Sequence, residues 1–436
     1  MSKQNNLRTP KGTYDLTPEE TAVKNKIERI CENIFKKHCG MKIETPHFEL
    51  RENLQDKYGE DTKLIFNLED QGGDICSLRY DLTIPFSRFI SKNKIHRIRK
   101  YQIGSVFRRD NPSRGRLREF TQADFDLTGN NLPMINDSEC IKMINDILEE
   151  LVSEFTVLDD FIIKINDRRI LRDILKYCEV EEENRMNICS TIDKFDKMNE
   201  EELSVEFRKK GMNEEQIEKL FRILKMSKVT EGNDLLEKLD EIVSKEVLDE
   251  FRKLIGYLEI YKITKYKIDL TLARGLTYYT GIIVEGVFTG LNIGSICGGG
   301  RYDKLCSSIS TFETPCVGFS IGVSRILNGM FTHLEKKYLR NDILVGSAYG
   351  LCLKERMRLV DVLQEKYSAM MMHGEKMNYK AQIAYAESNS FKMIIFTGEK
   401  EIENGIVQLY FVAEKEKKEI KQENLLETIE MYLNKL

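Results

Sequence analysis

Histidine is scarce in this chain, with five among 436 residues, at positions 38, 47, 96, 333 and 373, none beside another ligand at helical spacing. That scarcity makes a histidine-based metal centre or a Ser-His hydrolase a poor fit. The ten cysteines, at 31, 39, 76, 140, 178, 189, 297, 306, 316 and 352, include no C-x-x-C pair. A zinc ribbon or a redox dithiol is therefore not indicated, and most of these thiols are expected to be reduced and buried. No run of about 18 apolar residues is present to cross a bilayer. The opening MSKQNNLRTPKGTYD lacks both the apolar stretch of a secretory signal and the Arg/Ser bias of an organelle presequence. A cytoplasmic protein without membrane contact is expected. Internal repeats and low-complexity tracts are also missing, so the chemistry falls to arginine, carboxylates and tyrosine.

What is present is a local concentration of positive charge. From Ser91 to Arg118 the chain carries ten Lys/Arg against one Asp, although the formal net charge of the whole is only -4. Arg108, Arg109, Arg114, Arg116 and Arg118 crowd around one Asn-Pro turn, and planar guanidinium forks grip phosphate oxygens two at a time. A solvated basic loop is the alternative. Against it, the cluster sits between two apolar, strand-like runs, YQIGSVF and FTQADFDL, and favours Arg over Lys.

With 41% hydrophobic and 32% charged residues the composition is that of a globular protein, and the length suits two or three domains. Thr17, Pro18 and Glu20 form a helix start of capping-box type. Ile27, Ile30, Cys31, Ile34 and Phe35 then keep one apolar face, and Gly40 stands where a left-handed stop is wanted. MKIETPHFEL reads as a strand broken at Pro46. LIFNLED, ICSLRYDL, YQIGSVF and FTQADFDL read as an antiparallel sheet. Residues 169–258 change to a Glu/Lys-rich helical texture, an insertion between a first core part, 1–168, and a second, 259–333. In that second part YKIDLTLARGLTYYTGIIVEGVF returns to strand character, and VGFSIGVSRILNGMF reads as a helix. Residues 339–436 alternate strands (DILVGSAYG, FKMIIFTG, IVQLYFVA) with a helix over LKERMRLVDVLQEKY and a closing helix from Gln422, a small α/β domain.

Several side chains stand out by chemistry. Asp81 and Thr83 place a carboxylate beside a hydroxyl, suited to an ammonium group or to a turn leading into a helix. Gln122, Asp124 and Asp126 alternate and so share one face of a strand, in a cleft or facing solvent. Phe120 is a stacking platform or an ordinary core residue. Arg274 interrupts an apolar run, either as a fixed cation at a reaction site or as a buried structural arginine. Tyr278 and Tyr279, if on a strand, face opposite ways. Gly298, Gly299 and Gly300 mark a close backbone approach or a plain turn.

RYDLTIPFSR (79–88), VFRRDNPSRGRLREFTQADFD (106–126), LARGLTYYTG (272–281), GGGRYDKL and GFSIGVSRI, in this order, resemble the histidyl-tRNA synthetases of eukaryotic type. VFRRD and GVSRI are similar to the second and third signature motifs of class II aminoacyl-tRNA synthetases, and LARGLTYYTG to the histidine-specific element. The resemblance implies an α+β fold: a class II antiparallel sheet core with a helical insertion, plus a C-terminal α/β anticodon-binding domain. It implies ATP, with Mg2+ on its phosphates and no protein-only metal cage, L-histidine and tRNA(His) as partners, and a homodimer. The amphipathic N-terminal helix and the strand through Pro46 are expected to supply the dimer surface. For histidine it implicates Asp81, Leu82, Thr83, Arg108, Gln122, Asp126, Arg274, Tyr278 and Tyr279. Asp126 and Tyr279 would meet the imidazole. For ATP it implicates Arg108, Arg116, Phe120 and Arg325, the last two sandwiching adenine. Arg108 and Arg274 would be the catalytic cations.

The chain departs from the family pattern at Thr277, where Asp is usual, at Leu117, where an aromatic is common, and in a short NPSRGR loop. A non-catalytic relative would keep the fold and erode the arginines, yet Arg108, Arg274 and Arg325 are all present.

Overall fold

The computed structural model describes residues 7–55, 57–69, 72–113, 115–130, 132–273, 278–291, 293–331, 341–348, 350–372 and 378–434, without the side chains of 59–61. Helix α1 (Pro18–Lys37) begins on the expected capping box: the Thr17 amide donates to Glu20 Oε2 at 2.7 Å and the Glu20 amide to Thr17 Oγ1 at 3.3 Å. Its apolar stripe, Val23, Ile27, Ile30, Cys31, Ile34 and Phe35, is buried in the chain's own core. Burial within the subunit uses this stripe and leaves the helix's other faces for the expected dimer surface. The left-handed residue after the helix is Cys39, at φ 58°, not Gly40. Gly40 is required for space: a Cβ there would come 2.6 Å from the Phe125 ring and 2.8 Å from the Phe35 carbonyl.

Strands β1 (Met41–Lys42) and β2 (Phe48–Leu50) flank Pro46, and α2 (Arg51–Leu54) follows. β3 (Cys76–Leu78) pairs with β2 in a small two-stranded sheet. LIFNLED contributes one isolated bridge, Asn67 to Ser77, instead of the expected strand. ICSLRYDL shortens because Asp81 turns the chain into α3 (Thr83–Asn93), its Oδ1 accepting from the Thr83 and Ile84 amides at 3.1 Å each.

The main sheet is built from β4 (Arg99–Phe107), β5 (Glu119–Thr128), β6 (Phe161–Asp167), β7 (Tyr266–Ile268), β8 (Ile282–Phe288), β9 (Ser295–Arg301) and β10 (Cys316–Ile321), with β1 at one edge. Among the described residues its order is β1-β4-β5-β10-β9-β8-β6-β7, antiparallel inside and parallel at the two end pairs. VGFSI, expected as helix, is β10; α11 (Val323–Met330) starts only after Gly322. Tyr278 to Gly281 lie outside any strand, so the strand argument for the two tyrosines does not apply.

Pairing fixes what each face carries. Asp126 stands opposite Lys100 and Gly318, Asp124 opposite Gln102 and Ser320, and Gln122 opposite Gly104. With a period of two, these polar residues share one face with Gly298 and Gly300 of β9. Tyr101, Phe125 and Phe319 point the other way. The Phe35 ring lies 5.6, 5.3 and 6.0 Å from theirs; α4 (Ile135–Glu154) packs against the strands and is joined to α1 by the Lys26–Glu154 salt bridge at 2.7 Å.

Between β6 and β7 run helices α5 (Arg168–Tyr177), α6 (Glu182–Ile192), α7 (Glu200–Lys209), α8 (Glu214–Val229), α9 (Gly232–Lys238) and α10 (Lys245–Ile260). Asn199 with Glu202 and Asn213 with Gln216 form capping boxes. Asp196, between α6 and α7, holds Lys164 of β6 at 2.9 Å and Lys228 of α8 at 2.6 Å. These two ammonium groups keep its carboxyl low, at about 2, against the opposing effect of burial.

A second unit follows from 341: β11 (Asn341–Ser347), α12 (Leu353–Gln364), β12 (Ala369–Met371), α13 (Tyr379–Ser388), β13 (Phe391–Thr397), α14 (Glu399–Glu403), β14 (Ile406–Phe411), β15 (Glu416–Lys421) and α15 (Leu425–Leu433). Its sheet order is β12-β11-β13-β14-β15, parallel among the first three strands and antiparallel after them. Alternate residues feed two apolar cores, Ile343, Val345, Ile395 and Leu409 on one face and Leu344, Ile394, Phe396 and Tyr410 on the other. The unit is α/β as expected. β12, α13, α14 and β15 were not anticipated; β15 reads EKKEIK and declares itself only by pairing with β14.

Candidate functional site

The polar face of the main sheet ends in an opening over β9. Gly298 is exposed although it lies mid-strand in the middle of the sheet, and a Cβ added there would meet nothing within 4 Å. One pleat along, a Cβ on Gly300 would touch the Tyr279 ring at 3.0 Å. Tyr279 therefore lies against the glycine strand, and its ring centroid is 5.0 Å from that of Tyr278. The Tyr278 hydroxyl lies 3.4 Å from Asp81 Oδ2. Both rings pack on the cluster that includes Tyr80 and Tyr302, so the tyrosines converge instead of diverging.

Three carboxylates lie within one another's electrostatic reach here. Burial pushes Asp81 up, opposed by the Ile84 amide and the charge of Arg108. Asp124 is pushed up to about 7, by burial first and with Asp126 and Asp81 adding to it, against the pull of Lys100. Burial raises the Tyr279 phenol, and so do the charges of Asp81, Asp126 and Asp124. Asp126 Oδ1 accepts the Tyr302 hydroxyl, and Oδ2 forms an ion pair with Lys100 Nζ at 2.7 Å, although neither of those two atoms completes a hydrogen bond. Lys100 is completely buried. A buried pair of this kind is costly to break, because the partner left behind keeps an uncompensated charge.

The remaining expected residues separate into three groups. Leu82 is wholly buried and apolar, leaving only its backbone to face a ligand, while Thr83 is half-buried at the start of α3. Gln122 is half-buried, and its Oε1 accepts no hydrogen bond. Arg108 donates from Nε to the Tyr80 carbonyl at 3.1 Å, and its guanidinium lies 4.2 Å from the Tyr80 ring centroid and 5.1 Å from that of Phe120. Its charge acts on Asp81, so it sits at the boundary of the carboxylate group and the arginine loop. Phe120 is half-buried, and the neighbouring Thr121 amide donates to Ser324 Oγ at 2.8 Å, tying β5 to the start of α11.

Arg325, the next residue of α11, donates from Nε to the Gly115 carbonyl at 3.0 Å. Arg116 is exposed and reaches Asp110 at 3.5 Å. Both arginines line a cavity of about 620 Å³ with Thr271, Glu285, Gly294 and Ser295. Glu285 is the cross-strand neighbour of Gly298, so this cavity adjoins the open glycine floor. Arg274, Arg114 and Thr277 lie outside the described residues. Among the described residues no group of three or more His, Cys, Asp or Glu side chains is placed to hold a metal ion.

Reading the chain alone missed Lys100 and Tyr302. Lys100 hid in a basic run, yet Lys100, Gln102 and Gly104 alternate with Tyr101 and Ile103, the same polar/apolar pattern that marked Gln122, Asp124 and Asp126. Arg79 was also missed: it is buried and donates to the carbonyls of Ser105 at 2.7 Å and Thr45 at 2.8 Å.

The sequence profile described as "Histidyl-tRNA synthetase" matches residues 12–326, and one described as "Anticodon binding domain" matches residues 345–431. The chain belongs to the histidyl-tRNA synthetase family. The "Histidine--tRNA ligase" of Danio rerio is 38% identical over 97% of this chain and 88% of its own. The "Probable histidine--tRNA ligase, cytoplasmic" of Vairimorpha ceranae is 41% identical over 92% and 94%. A relative from Homo sapiens, 38% identical over 98% and 88%, is labelled mitochondrial, so the relatives span two compartments. The crystal structure of histidyl-tRNA synthetase from Nostoc sp. PCC 7120 shares the fold, with a TM-score of 0.83 at 24% identity over 98% of this chain and 99% of that one. Family membership makes this an aminoacyl-tRNA synthetase that uses ATP, with an anticodon-binding domain at its end. No described helix is long and apolar enough to cross a membrane.

Proposed function

We propose that this chain activates L-histidine on the polar face of the eight-stranded sheet and transfers it to the 3' end of tRNA(His). The observation that carries the reading is the open floor at Gly298, with Asp81, Gln122, Asp126 and Tyr279 gathered around it. The amino acid's ammonium group would pair with Asp81 beside Thr83; Gln122, Tyr278 and Tyr279 would orient it, with Asp126 on the imidazole side. Arg108 would hold the α-phosphate next to the carboxylate of histidine. Arg116 would take the outer phosphates, and adenine would lie between Phe120 and Arg325. Magnesium enters with ATP as part of that substrate.

In the first step a histidine carboxylate oxygen attacks the α-phosphorus in line, forming the adenylate and expelling pyrophosphate. The nucleophile is already charged, so alignment and neutralisation of developing charge do most of the work. Arg274 keeps its proposed place as a second fixed cation, on the sequence resemblance. In the second step a terminal ribose hydroxyl of the tRNA takes the histidyl group and AMP leaves. Reading of anticodon bases is assigned to the C-terminal unit.

A homodimer is part of the proposal. Edge strand β1 together with the exposed apolar Met41, Phe48 and Ile75 offers a self-complementary patch. We also assign the activity to the cytoplasm, as the label of the Vairimorpha ceranae relative has it. The test is histidine-dependent ATP–pyrophosphate exchange with Arg108→Ala and Arg274→Ala. Each substitution should remove about 3 to 4 kcal/mol of transition-state stabilisation while light scattering still reports a folded dimer. Near-native exchange in either variant removes that arginine from the mechanism.

A further inference from the structure

We propose that the helical insertion positions the nucleotide: Ser227 and the Asp196–Lys164 ion pair fix the turn Asp269–Leu272, which walls the cavity lined by Arg116 and Arg325. The inference rests on the reading of that cavity as the ATP site and gives the insertion a part in the activation step. Asp196, Ser227 and Lys228 belong to the insertion, Lys164 to β6, and the turn follows β7.

The turn is closed within itself. Leu272 donates its amide to the Asp269 carbonyl at 2.9 Å, and Asp269 Oδ1 accepts the Thr271 amide at 3.1 Å and the Thr271 hydroxyl at 2.6 Å. An aspartate at the first position of a turn suits this geometry. The core holds the turn at both ends: the Asp269 amide donates to the Ile165 carbonyl and Asn166 Nδ2 to the Leu272 carbonyl, each at 2.9 Å. The Leu270 amide, between them, finds its acceptor in the insertion. It donates to Ser227 Oγ at 3.2 Å, while the Ser227 hydroxyl spends its hydrogen on the Leu224 carbonyl at 3.0 Å. Both residues are buried, so an alanine at 227 takes from the Leu270 N–H the acceptor it has.

Charge makes a second tie. Lys164 Nζ lies 2.9 Å from Asp196 and 3.3 Å from Asp269 Oδ2, so one ammonium joins the insertion to the turn. Asp196 also holds Lys228 at 2.6 Å, on α8, the helix that carries Ser227. Burial pushes the Asp269 carboxyl up, but Thr271, Lys164 and Lys267 outweigh it and keep the group below the ordinary aspartate value. Both ties end at the cavity, where Asp196 and Lys197 of the insertion line the wall with Asp269 and Thr271. Displacing a substrate by about 1 Å from its attack geometry costs on the order of a hundredfold in rate, so a wall held from two sides bears on the reaction.

The test is ATP–pyrophosphate exchange with Ser227→Ala, Lys164→Met and Lys164→Arg in the full chain, with thermal melting as the check on folding. Lys164→Met strands neither carboxylate, since Asp196 keeps Lys228 and Asp269 keeps Lys267 at 3.7 Å. Ser227→Ala and Lys164→Met are expected to fold, to raise KM for ATP by about fivefold or more with a lower kcat, and to leave KM for histidine within about twofold. Lys164→Arg keeps the charge and should restore most of kcat/KM for ATP. A merely structural tie would lower the amount of folded enzyme and leave both KM values alone. The proposal is overturned if the folded variants keep the native KM for ATP, or if kcat alone falls in step with the folded fraction. Arg325→Ala separates this from the underlying reading. A raised KM for ATP there, beside native values in the Ser227 and Lys164 variants, removes the positioning role alone; an unchanged KM for ATP in Arg325→Ala removes the cavity as the nucleotide site, and the proposal with it.

Discussion

The two sheets of this protein use the same alternation to opposite ends. In the C-terminal sheet both faces are apolar, each sealed into a core, so every strand residue from Ile343 to Val345 or Met393 to Phe396 is spent on packing. In the eight-stranded sheet only one face is apolar, packed around Phe35, Tyr101, Phe125 and Phe319. The other carries Lys100, Gln102, Gln122, Asp124 and Asp126 and opens at Gly298. Burying so many charges is unfavourable for folding, and a protein that tolerates it is keeping polar groups desolvated for a ligand. On the proposed reading the eight-stranded sheet does the chemistry and the C-terminal sheet supports recognition.

The sharpest way to break this contrast is to remove a buried charge from the polar face. Lys100→Met strands Asp126 and should cost about 3 to 5 kcal/mol of stability, read as a fall in the urea midpoint. A variant as stable as the parent would mean that the pair is solvated. Next, the two sheets should respond oppositely to a change of side-chain size. Gly298→Val adds volume where nothing stands and should leave the melting temperature within a few degrees while histidine activation falls by about a hundredfold or more. Ile395→Ala, in the C-terminal sheet, should cost about 2 to 5 kcal/mol of stability with KM for histidine unchanged. The smallest effect is electrostatic. Between the ordinary aspartate value of 3.8 and about 7 the folded chain holds a proton on Asp124 that the unfolded chain has released. Stability from this group therefore falls as pH rises across that window and is level above it. Asp124→Asn lacks the penalty, so its stability advantage should grow from pH 4 to pH 7 and then hold. A pH-independent difference in urea midpoints would show that Asp124 titrates normally.

Much of the site was legible because strand periodicity is local. Gln122, Asp124 and Asp126 announced a polar face by spacing alone, as Ile27, Ile30, Ile34 and Phe35 announced an apolar helix face. Where the reading failed, a partner distant in the chain had intervened. LIFNLED lost its strand because no neighbour pairs with it beyond Asn67, and VGFSI became a strand because β5 and β9 lie on either side of it. Tyr278 and Tyr279 follow no strand geometry at all. Cys39 takes the left-handed position that Gly40 was expected to fill, because Gly40 is needed to let Phe125 approach.

The order of residues along the chain determined the helix faces, the alternation of polar and apolar strand positions, the arginine loop and the family resemblance, since each depends on neighbours a few positions apart. Tertiary structure alone decided that Lys100 is a buried counter-ion and not a surface charge, that its ion pair is with Asp126, and that Gly298 lies open. Those outcomes turn on which strands come to lie side by side, and hence on which charges lose their water together, a property no local spacing encodes.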